Sequence, residues 1–222
     1  MQNFLQDLHF ALRQLRRSPG FALTAILTLT MAIGANVVVF GVVNALVLHP
    51  LPVPQANRVY SIQGKGVALS YPNYQDIRDR NQTFSGVSLV RIARMGLDIS
   101  GTARPVWGYE VSGNYFDMLG VKPILGRFFT PAEDTKINGD PYIVLSYNSW
   151  KTQFGGDLNI AGKTIRLNKH QCTVLGVAPK GFNGTERFIW PEVWLPIHNE
   201  PEIEGTTGST IAVPTTLGWL HA

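Results

Sequence analysis

A run of 28 residues without a charge, from Phe21 to Leu48, constrains this sequence more than any other feature. As a helix it would be roughly 42 Å long, against about 30 Å for the hydrocarbon core of a bilayer. Charged residues make up only 15% of the chain, where about a quarter is usual for soluble domains. We therefore expect residues 21–48 to form a transmembrane helix.

The charges that flank this run predict its orientation. Residues 1–20 carry three arginines and one aspartate, a net charge of +3 − 1 = +2, whereas His49 and Pro50 follow the run directly. Because basic residues favour the cytoplasmic side of a membrane, the N-terminus is expected in the cytoplasm and the rest of the chain outside it. A cleavable signal peptide is the alternative, with Val43 and Ala45 as a small-residue cleavage site. The length of the run favours the anchor.

Residues 1–20 are predicted to form an amphipathic helix on the cytoplasmic membrane surface. Its apolar face spans about 100°, and Ser18-Pro19-Gly20 interrupts it before the membrane. The helix either anchors the chain or offers its polar face to a cytoplasmic partner. The apolar face comprises Phe4, Leu5, Leu8, Leu12 and Leu15, and the polar face His9, Arg13, Arg16 and Arg17.

The sequence after the membrane run predicts a mixed α+β domain over residues 49–222. Three prolines within 50–54 form a stiff exit linker. Strand and helix patterns then follow each other in an order that favours α+β over a doubly wound fold. Predicted strands are 58–63, 84–97, 104–111, 142–145, 164–167, 171–177 and 192–195, with a hairpin at Asn168-Lys169-His170; predicted helices are 70–80, 114–119 and 147–154.

Charge and cysteine content exclude several classes of protein. Residues 49–222 hold 16 basic and 14 acidic residues, a net charge of +2, which disfavours nucleic-acid binding. Cys172 is the only cysteine, so no intrachain disulfide can form. It alternates with Val174 and is expected to be a buried structural residue.

No motif in the sequence supports an enzyme, a cofactor or a metal site. The segment 156–164 ends in Gly-Lys-Thr, but five residues separate its glycines where a phosphate-binding loop needs four, which favours a turn that leads into a strand. Asp134 and Asp140 lie in a turn-rich loop, where acids are usually solvated. A hydrolase stays an unsupported alternative. The histidines considered as metal ligands are His9, His49, His170, His198 with Glu200 and Glu202, and His221. The serines considered as nucleophiles are Ser146, Ser149 and Ser209.

Aromatic residues could line a groove for a sugar or peptide, which would make the domain a membrane-tethered binding module. More often such residues lie in a core or at a partner interface, and we favour this second interpretation. The set comprises Trp107, Trp150, Trp190, Trp194 and Trp219, with Tyr71, Tyr74, Tyr109 and Tyr115.

Short motifs in a fixed order resemble those of ABC-transporter permeases of the MacB/FtsX type, particularly the long variants found in acidobacteria. In the membrane region they are 12–21 (LRQLRRSPGF), 33–36 (IGAN), 42–45 (VVNA) and 50–52 (PLP). In the domain they are 70–72 (SYP), 111–116 (VSGNYF), 119–121 (LGV), 125–129 (LGRFF), 144–147 (VLSY), Trp150, 154–157 (FGGD), 160–163 (IAGK), 174–179 (VLGVAP) and 194–196 (WLP).

The resemblance implies a non-catalytic permease subunit of the bacterial inner membrane, without a cofactor. Its parts would be a cytoplasmic helix (1–20), a transmembrane helix (21–48) and a MacB-like periplasmic core domain (49–222). Such permeases pair as dimers, bind a cytoplasmic ATPase, and convert ATP-driven closure into periplasmic movement that acts on a substrate or adaptor. The family's later membrane helices do not follow, so we expect the chain to be the N-terminal part of a longer permease.

Overall fold

The apolar run forms a helix, α1, over Pro19–Val43 in the computed structural model of the chain. By length and composition this helix could cross a membrane. The hydroxyls of Thr24 and Thr28 donate to carbonyls one turn earlier, 2.9–3.0 Å away, and so need no partner outside the helix. The structure describes residues 13, 16–44, 51, 53–54, 56–62, 69–99, 101–135, 141–186, 189–199, 212–213 and 215–219.

The predicted interruption ahead of α1 is confirmed. Arg16 and Arg17 are helical, but Ser18 leaves the helix with φ −127° and ψ 73°, and Pro19 then occupies the first turn of α1. A proline fits that position because its missing N–H would have no helical acceptor there. The apolar residues Phe4, Leu5, Leu8, Leu12 and Leu15 lie outside the described residues, as does the predicted end of the span at 45–48.

The chain divides into two units, Met1–His49 and Pro50–Ala222. The second unit mixes helices with a large sheet, which confirms the α+β prediction. Its helices are α2 (Tyr71–Arg80), α3 (Tyr115–Leu119) and α4 (Tyr147–Gln153). Its strands are β1 (Val59–Ile62), β2 (Leu69–Ser70), β3 (Gly86–Ile99), β4 (Thr102–Val111), β5 (Leu125–Gly126), β6 (Tyr142–Leu145), β7 (Thr164–Leu167), β8 (His170–Val177), β9 (Val193–Pro196), β10 (Ala212–Val213) and β11 (Thr215–Trp219).

The main sheet runs in the order β1-β11-β3-β4-β9-β6-β8-β5. Two pairs, β4 with β9 and β6 with β8, are parallel, and the others are antiparallel. Strand β7 pairs with both β8 and β3, so β3, β4, β9, β6, β8 and β7 close into a ring. Closure leaves these strands fewer free edges than an open sheet would have.

The hairpin predicted at residues 168–170 is confirmed and closes this ring. Asn168 and Lys169 both have positive φ, 48° and 74°, as a two-residue type I′ turn requires. The backbone N–H of Asn168 also donates to the Gly96 carbonyl at 2.8 Å, which ties the turn to β3.

Among the described residues, three apolar clusters lie in the domain, and two of them are large. One is aromatic and centres on Trp194, which is fully buried on β9. Around it lie Tyr109, Phe116 and Phe182, with ring centroids 5.5–6.3 Å away. The second cluster is mainly aliphatic and comprises Ala93, Met95, Leu97, Val106, Ile143, Leu145, Trp150, Ile160, Leu167, Cys172, Val174, Val177, Val193 and Leu195. Cys172 is fully buried there, as its alternation predicted.

Candidate functional site

Three polar side chains distant in sequence meet beside the main sheet. The Tyr71 hydroxyl lies 2.9 Å from Nε2 of His198, and Nδ1 of the same ring lies 2.8 Å from Oδ1 of Asp134. The rings of Tyr71 and His198 also meet edge to face, with centroids 5.0 Å apart. We call Tyr71, Asp134 and His198 the polar junction.

Each residue of the polar junction is placed by a chain segment that starts or ends there. Tyr71 opens α2, Asp134 follows the 3₁₀ turn Pro131–Glu133, and His198 lies in the 3₁₀ turn Ile197–Asn199 directly after β9. The backbone N–H of Gly113, just beyond β4, donates to Oδ2 of Asp134 at 2.8 Å. The polar junction therefore connects four segments of the domain.

Burial raises the pKa of one side chain in the polar junction. Desolvation, together with the negative charge of Asp134, raises the pKa of Tyr71 to about 12. A hydroxyl with a raised pKa keeps its proton, and it donates to Nε2 in the ring tautomer that carries its hydrogen on Nδ1. In that tautomer the Nδ1–H group donates to Oδ1 of Asp134. These hydrogen bonds hold the start of α2, the turn before Asp134 and the end of β9 together. The polar junction presents no activated hydroxyl or thiol for nucleophilic chemistry.

The prediction that Asp134 is solvated is wrong. Asp134 is 9% exposed and accepts three hydrogen bonds, from Gly113 N and from His198 N and Nδ1. His198 has an acidic partner in Asp134. The cluster considered with Glu200 and Glu202 lies outside the described residues, as does Asp140. No local pattern points to a pair separated by 64 residues.

An ion pair between Arg127 and Glu133, next to the polar junction in sequence, makes the stability of the fold depend on pH. The Arg127 guanidinium donates to both carboxylate oxygens of Glu133 at 2.6 and 2.8 Å, and Thr130 N donates at 2.9 Å. These contacts, the arginine first, lower the pKa of Glu133 from 4.5 to about 2.

A carboxylate whose folded-state pKa is lowered stabilises the fold above its unfolded pKa and loses that contribution as pH falls through its folded pKa. The stability difference between the natural chain and Glu133→Gln is therefore expected to be constant above about pH 5 and to shrink between pH 4.5 and 2. Denaturant titrations at pH 6, 4, 3 and 2 would measure it. A difference that does not change with pH would contradict the assignment.

The tryptophans divide between core and surface. Trp150 and Trp194 are buried, as are Tyr74, Tyr109 and Tyr115, which confirms the core interpretation for these residues. In contrast, Trp107 is 37% and Trp190 62% exposed. The guanidinium of Arg94 covers the Trp107 ring at 4.8 Å from its centroid. The side chain of Trp219 lies outside the described residues.

The segment 156–164 is a turn that leads into β7, as predicted. The Lys163 ammonium donates to the Asp157 carboxylate of the same turn at 2.5 Å, and Thr164 is the first residue of β7. Beside it, a cleft of roughly 670 Å³ is lined by both charge signs, including Asp98, Asp157, Lys163 and Arg166. A lysine engaged by an aspartate does not match the phosphate-cradling lysine of a nucleotide loop.

The serines considered for catalysis have structural surroundings. The Ser146 hydroxyl caps α4 by accepting from the backbone N–H of Ser149 at 3.1 Å. Ser149 itself is buried, and Ser209 lies outside the described residues. Within the described ranges, no group of three or more His, Cys, Asp or Glu side chains could hold a metal ion.

Comparison with known proteins agrees with this fold. The structure is similar to the periplasmic region of MacB from Actinobacillus actinomycetemcomitans, with a TM-score of 0.57 and 18% identity over 73% of this chain and 72% of that one. It is also similar to the extracellular domain of the noncanonic ABC-type transporter YknZ from Gram-positive bacteria, with a TM-score of 0.56 and 13% identity over 74% and 82% of the two chains. No curated protein sequence matches the chain.

A protein-family model matches most of the sequence. The MacB-like periplasmic core domain covers residues 22–216, which includes most of α1 and nearly all of the second unit. Together with one apolar helix near the N-terminus, this fits an inner-membrane protein with a periplasmic domain. Domains of this family are transporter components, so the hydrolase alternative gains no support. The chain belongs to the MacB-like periplasmic core domain family of MacB/FtsX-type ABC transporter permeases.

Proposed function

We propose that this chain is the N-terminal part of a non-catalytic permease subunit that couples cytoplasmic ATP hydrolysis to movement of its periplasmic domain, for export or efflux. The observation that carries the proposal is the continuous family match over residues 22–216, which joins an apolar helix of membrane length to the folded domain. A domain linked directly to a membrane helix can receive a displacement that begins on the other side of the bilayer.

The proposed topology places the N-terminus in the cytoplasm and the second unit in the periplasm. The three arginines before α1, at Arg13, Arg16 and Arg17, support this orientation, since the described span itself carries no charge. The three proposed parts are residues 1–20, 21–48 and 49–222. Reporter fusions after His49 are expected to be active only when exported, and cytoplasmic activity would contradict the topology.

The domain has the internal connections that a transmitting body needs. The ring of strands closed by β7 and the two large apolar clusters hold distant segments of the sheet together. The polar junction adds hydrogen bonds between the start of α2 and the end of β9. Close-packed interiors of this kind pass a displacement through the whole body because they deform little.

The proposed partners follow from this role. They are a cytoplasmic ABC ATPase bound through residues 1–20, a second permease copy, membrane lipid, and a periplasmic substrate or adaptor. The near-neutral charge of residues 49–222 gives no support to a nucleic-acid partner.

Capture of the ATPase tests the proposal. The full chain, purified in detergent, is expected to retain the ABC ATPase encoded beside it. Deletion of residues 2–17 is expected to abolish capture, because it removes the polar face with His9 and Arg13. The double substitution His9→Ala and Arg13→Ala should weaken capture without removing the apolar face.

The control substitution Arg94→Ala alters an exposed side chain of the second unit and should leave capture unchanged. Capture that survives both changes to residues 1–17 would refute the docking role of this segment. Absence of capture by the natural chain would refute the proposed function itself.

A further inference from the structure

The cleft beside the segment 156–164 contains one charged side chain of each sign that the fold leaves unmatched. Oδ1 of Asp98 is buried and has no hydrogen-bond partner in the described part of the structure. Arg166, which also lines the cleft, is exposed and forms no ion pair or hydrogen bond with a described residue. The other two charges of the lining neutralise each other, because Lys163 donates to Asp157.

Strand pairing places the two unmatched charges side by side. Asp98 of β3 pairs with Arg166 of β7, and Arg166 pairs in turn with Gln171 of β8. Residues directly opposite each other in antiparallel strands extend to the same face of the sheet, with their Cβ atoms about 4.5–5.5 Å apart. A carboxylate, a guanidinium and an amide therefore form a row along the wall of the cleft.

The chemistry of this row favours a ligand that carries both charges. A half-buried carboxylate such as Asp98 has lost part of its hydration, and a cation in the cleft would compensate for that loss. The guanidinium of Arg166 offers a planar fork of N–H donors that fits a carboxylate. A simple anion would meet the charge of Asp98, and a simple cation would meet the charge of Arg166. A zwitterion avoids both conflicts.

The size and the apolar part of the cleft limit the ligand further. Its volume of roughly 670 Å³ lies within the range of about 300–1,000 Å³ that is typical of small-molecule sites. Part of the lining is apolar and could hold an uncharged side chain. These residues are Ile99, Phe154, Ile160 and Ile165.

We propose that this cleft binds a free α-amino acid with an apolar side chain, its ammonium group at Asp98 and its carboxylate at Arg166. In an α-amino acid both charged groups are attached to one carbon, so they can reach two cross-strand neighbours at once. The amide of Gln171 lies next to Arg166 and can donate to the same carboxylate. Such binding depends neither on the membrane span nor on an ATPase, and it goes beyond the proposed coupling function.

Titration calorimetry on the full chain in detergent tests the proposal with L-phenylalanine and two derivatives. L-phenylalanine is expected to bind with a dissociation constant on the order of 0.1 mM, as is usual for a ligand of this size. N-acetyl-L-phenylalanine lacks the ammonium group, and L-phenylalaninamide lacks the carboxylate. Each derivative is expected to bind at least about tenfold more weakly, because one charged residue then stays unmatched.

Substitutions assign each ligand group to its residue. Asp98→Asn is expected to weaken binding of L-phenylalanine about 10- to 100-fold and to remove its preference over the acetylated derivative. Arg166→Gln should instead remove the preference over the amide. This exchange of preferences separates recognition from a loss of folding, which would weaken all three ligands alike. The controls Arg94→Gln and Asp117→Asn remove exposed charges outside the cleft and should leave the affinity unchanged.

Four results would overturn the proposal. The first is no saturable binding of L-phenylalanine up to about 10 mM, a hundred times the expected constant. The second is equal binding of the two derivatives by the natural chain, and the third is binding that both Asp98→Asn and Arg166→Gln leave unchanged. The fourth is an absence of binding together with a double variant no less stable than either single one, which would make Asp98 and Arg166 an ion pair of the fold. None of these results affects capture of the ATPase, so the proposed function is tested separately.

Discussion

Replacing Trp194 with alanine is expected to lower the free energy of unfolding by about 3–5 kcal/mol. The side chain is fully buried and stacks on Phe182 at 5.5 Å between ring centroids, while Phe116 and Tyr109 meet it edge to face. Removing the indole deletes a large apolar group and leaves a cavity that four segments of the domain surround. Chemical denaturation of the full chain in detergent, followed by tertiary circular dichroism, measures the loss.

The matched control is Trp190→Ala, which deletes the same side chain four residues earlier in the chain. Trp190 is 62% exposed, so this change is expected to alter stability by no more than about 0.5 kcal/mol. A loss below about 1 kcal/mol for Trp194→Ala, or equal losses for both variants, would contradict the position of the aromatic cluster.

Replacing Asp134 with alanine is expected to cost about 2–4 kcal/mol, because three donors lose their acceptor in a buried place. These are the backbone N–H groups of Gly113 and His198, at 2.8 and 3.3 Å, and Nδ1 of His198 at 2.8 Å. The same denaturation experiment measures the effect. Hydrogen exchange at the start of α2 and the end of β9 should rise in parallel, since the polar junction holds both.

Two further variants distinguish the polar junction from a general effect of removing charge. Asp117→Ala removes an exposed carboxylate from α3 and is expected to change stability by less than about 0.5 kcal/mol. Gly113→Ala should destabilise like Asp134→Ala, because its Cβ would lie 2.6 Å from Pro131 Cα and 2.9 Å from Asp134 Cβ. If Asp134→Ala left the free energy of unfolding unchanged, the polar junction would not stabilise the fold.

Local patterns predicted much of the domain. The strands Tyr142–Leu145 and Thr164–Leu167 begin and end where the alternation of apolar residues predicted. Gly120, in a left-handed conformation with φ 62°, ends α3 as expected. These features depend on side-chain periodicity and on glycine's freedom to adopt positive φ, both of which are visible in a short window of sequence.

Features that depend on distant residues escaped prediction. Strand β11 inserts between β1 and β3, although its partner residues in β3 lie 125 to 133 positions earlier in the chain. The closure of the ring by β7 also depends on a pairing with β3, at Leu97 and Asp98, that no local pattern indicates. The polar junction is of the same kind, because Tyr71, Asp134 and His198 become neighbours only once the sheet has formed.

The proposed function requires the periplasmic domain to move when the ATPase binds and hydrolyses ATP. Spin labels on Leu158→Cys, at a side chain that is 70% exposed, would report the distance between the two copies of the proposed dimer in complex with the ATPase. The natural chain, whose only thiol is buried, gives the background. Trapping with ATP and vanadate is expected to shift the mean distance by several ångströms relative to the nucleotide-free complex. A distance distribution that is the same in both states would contradict the proposed function.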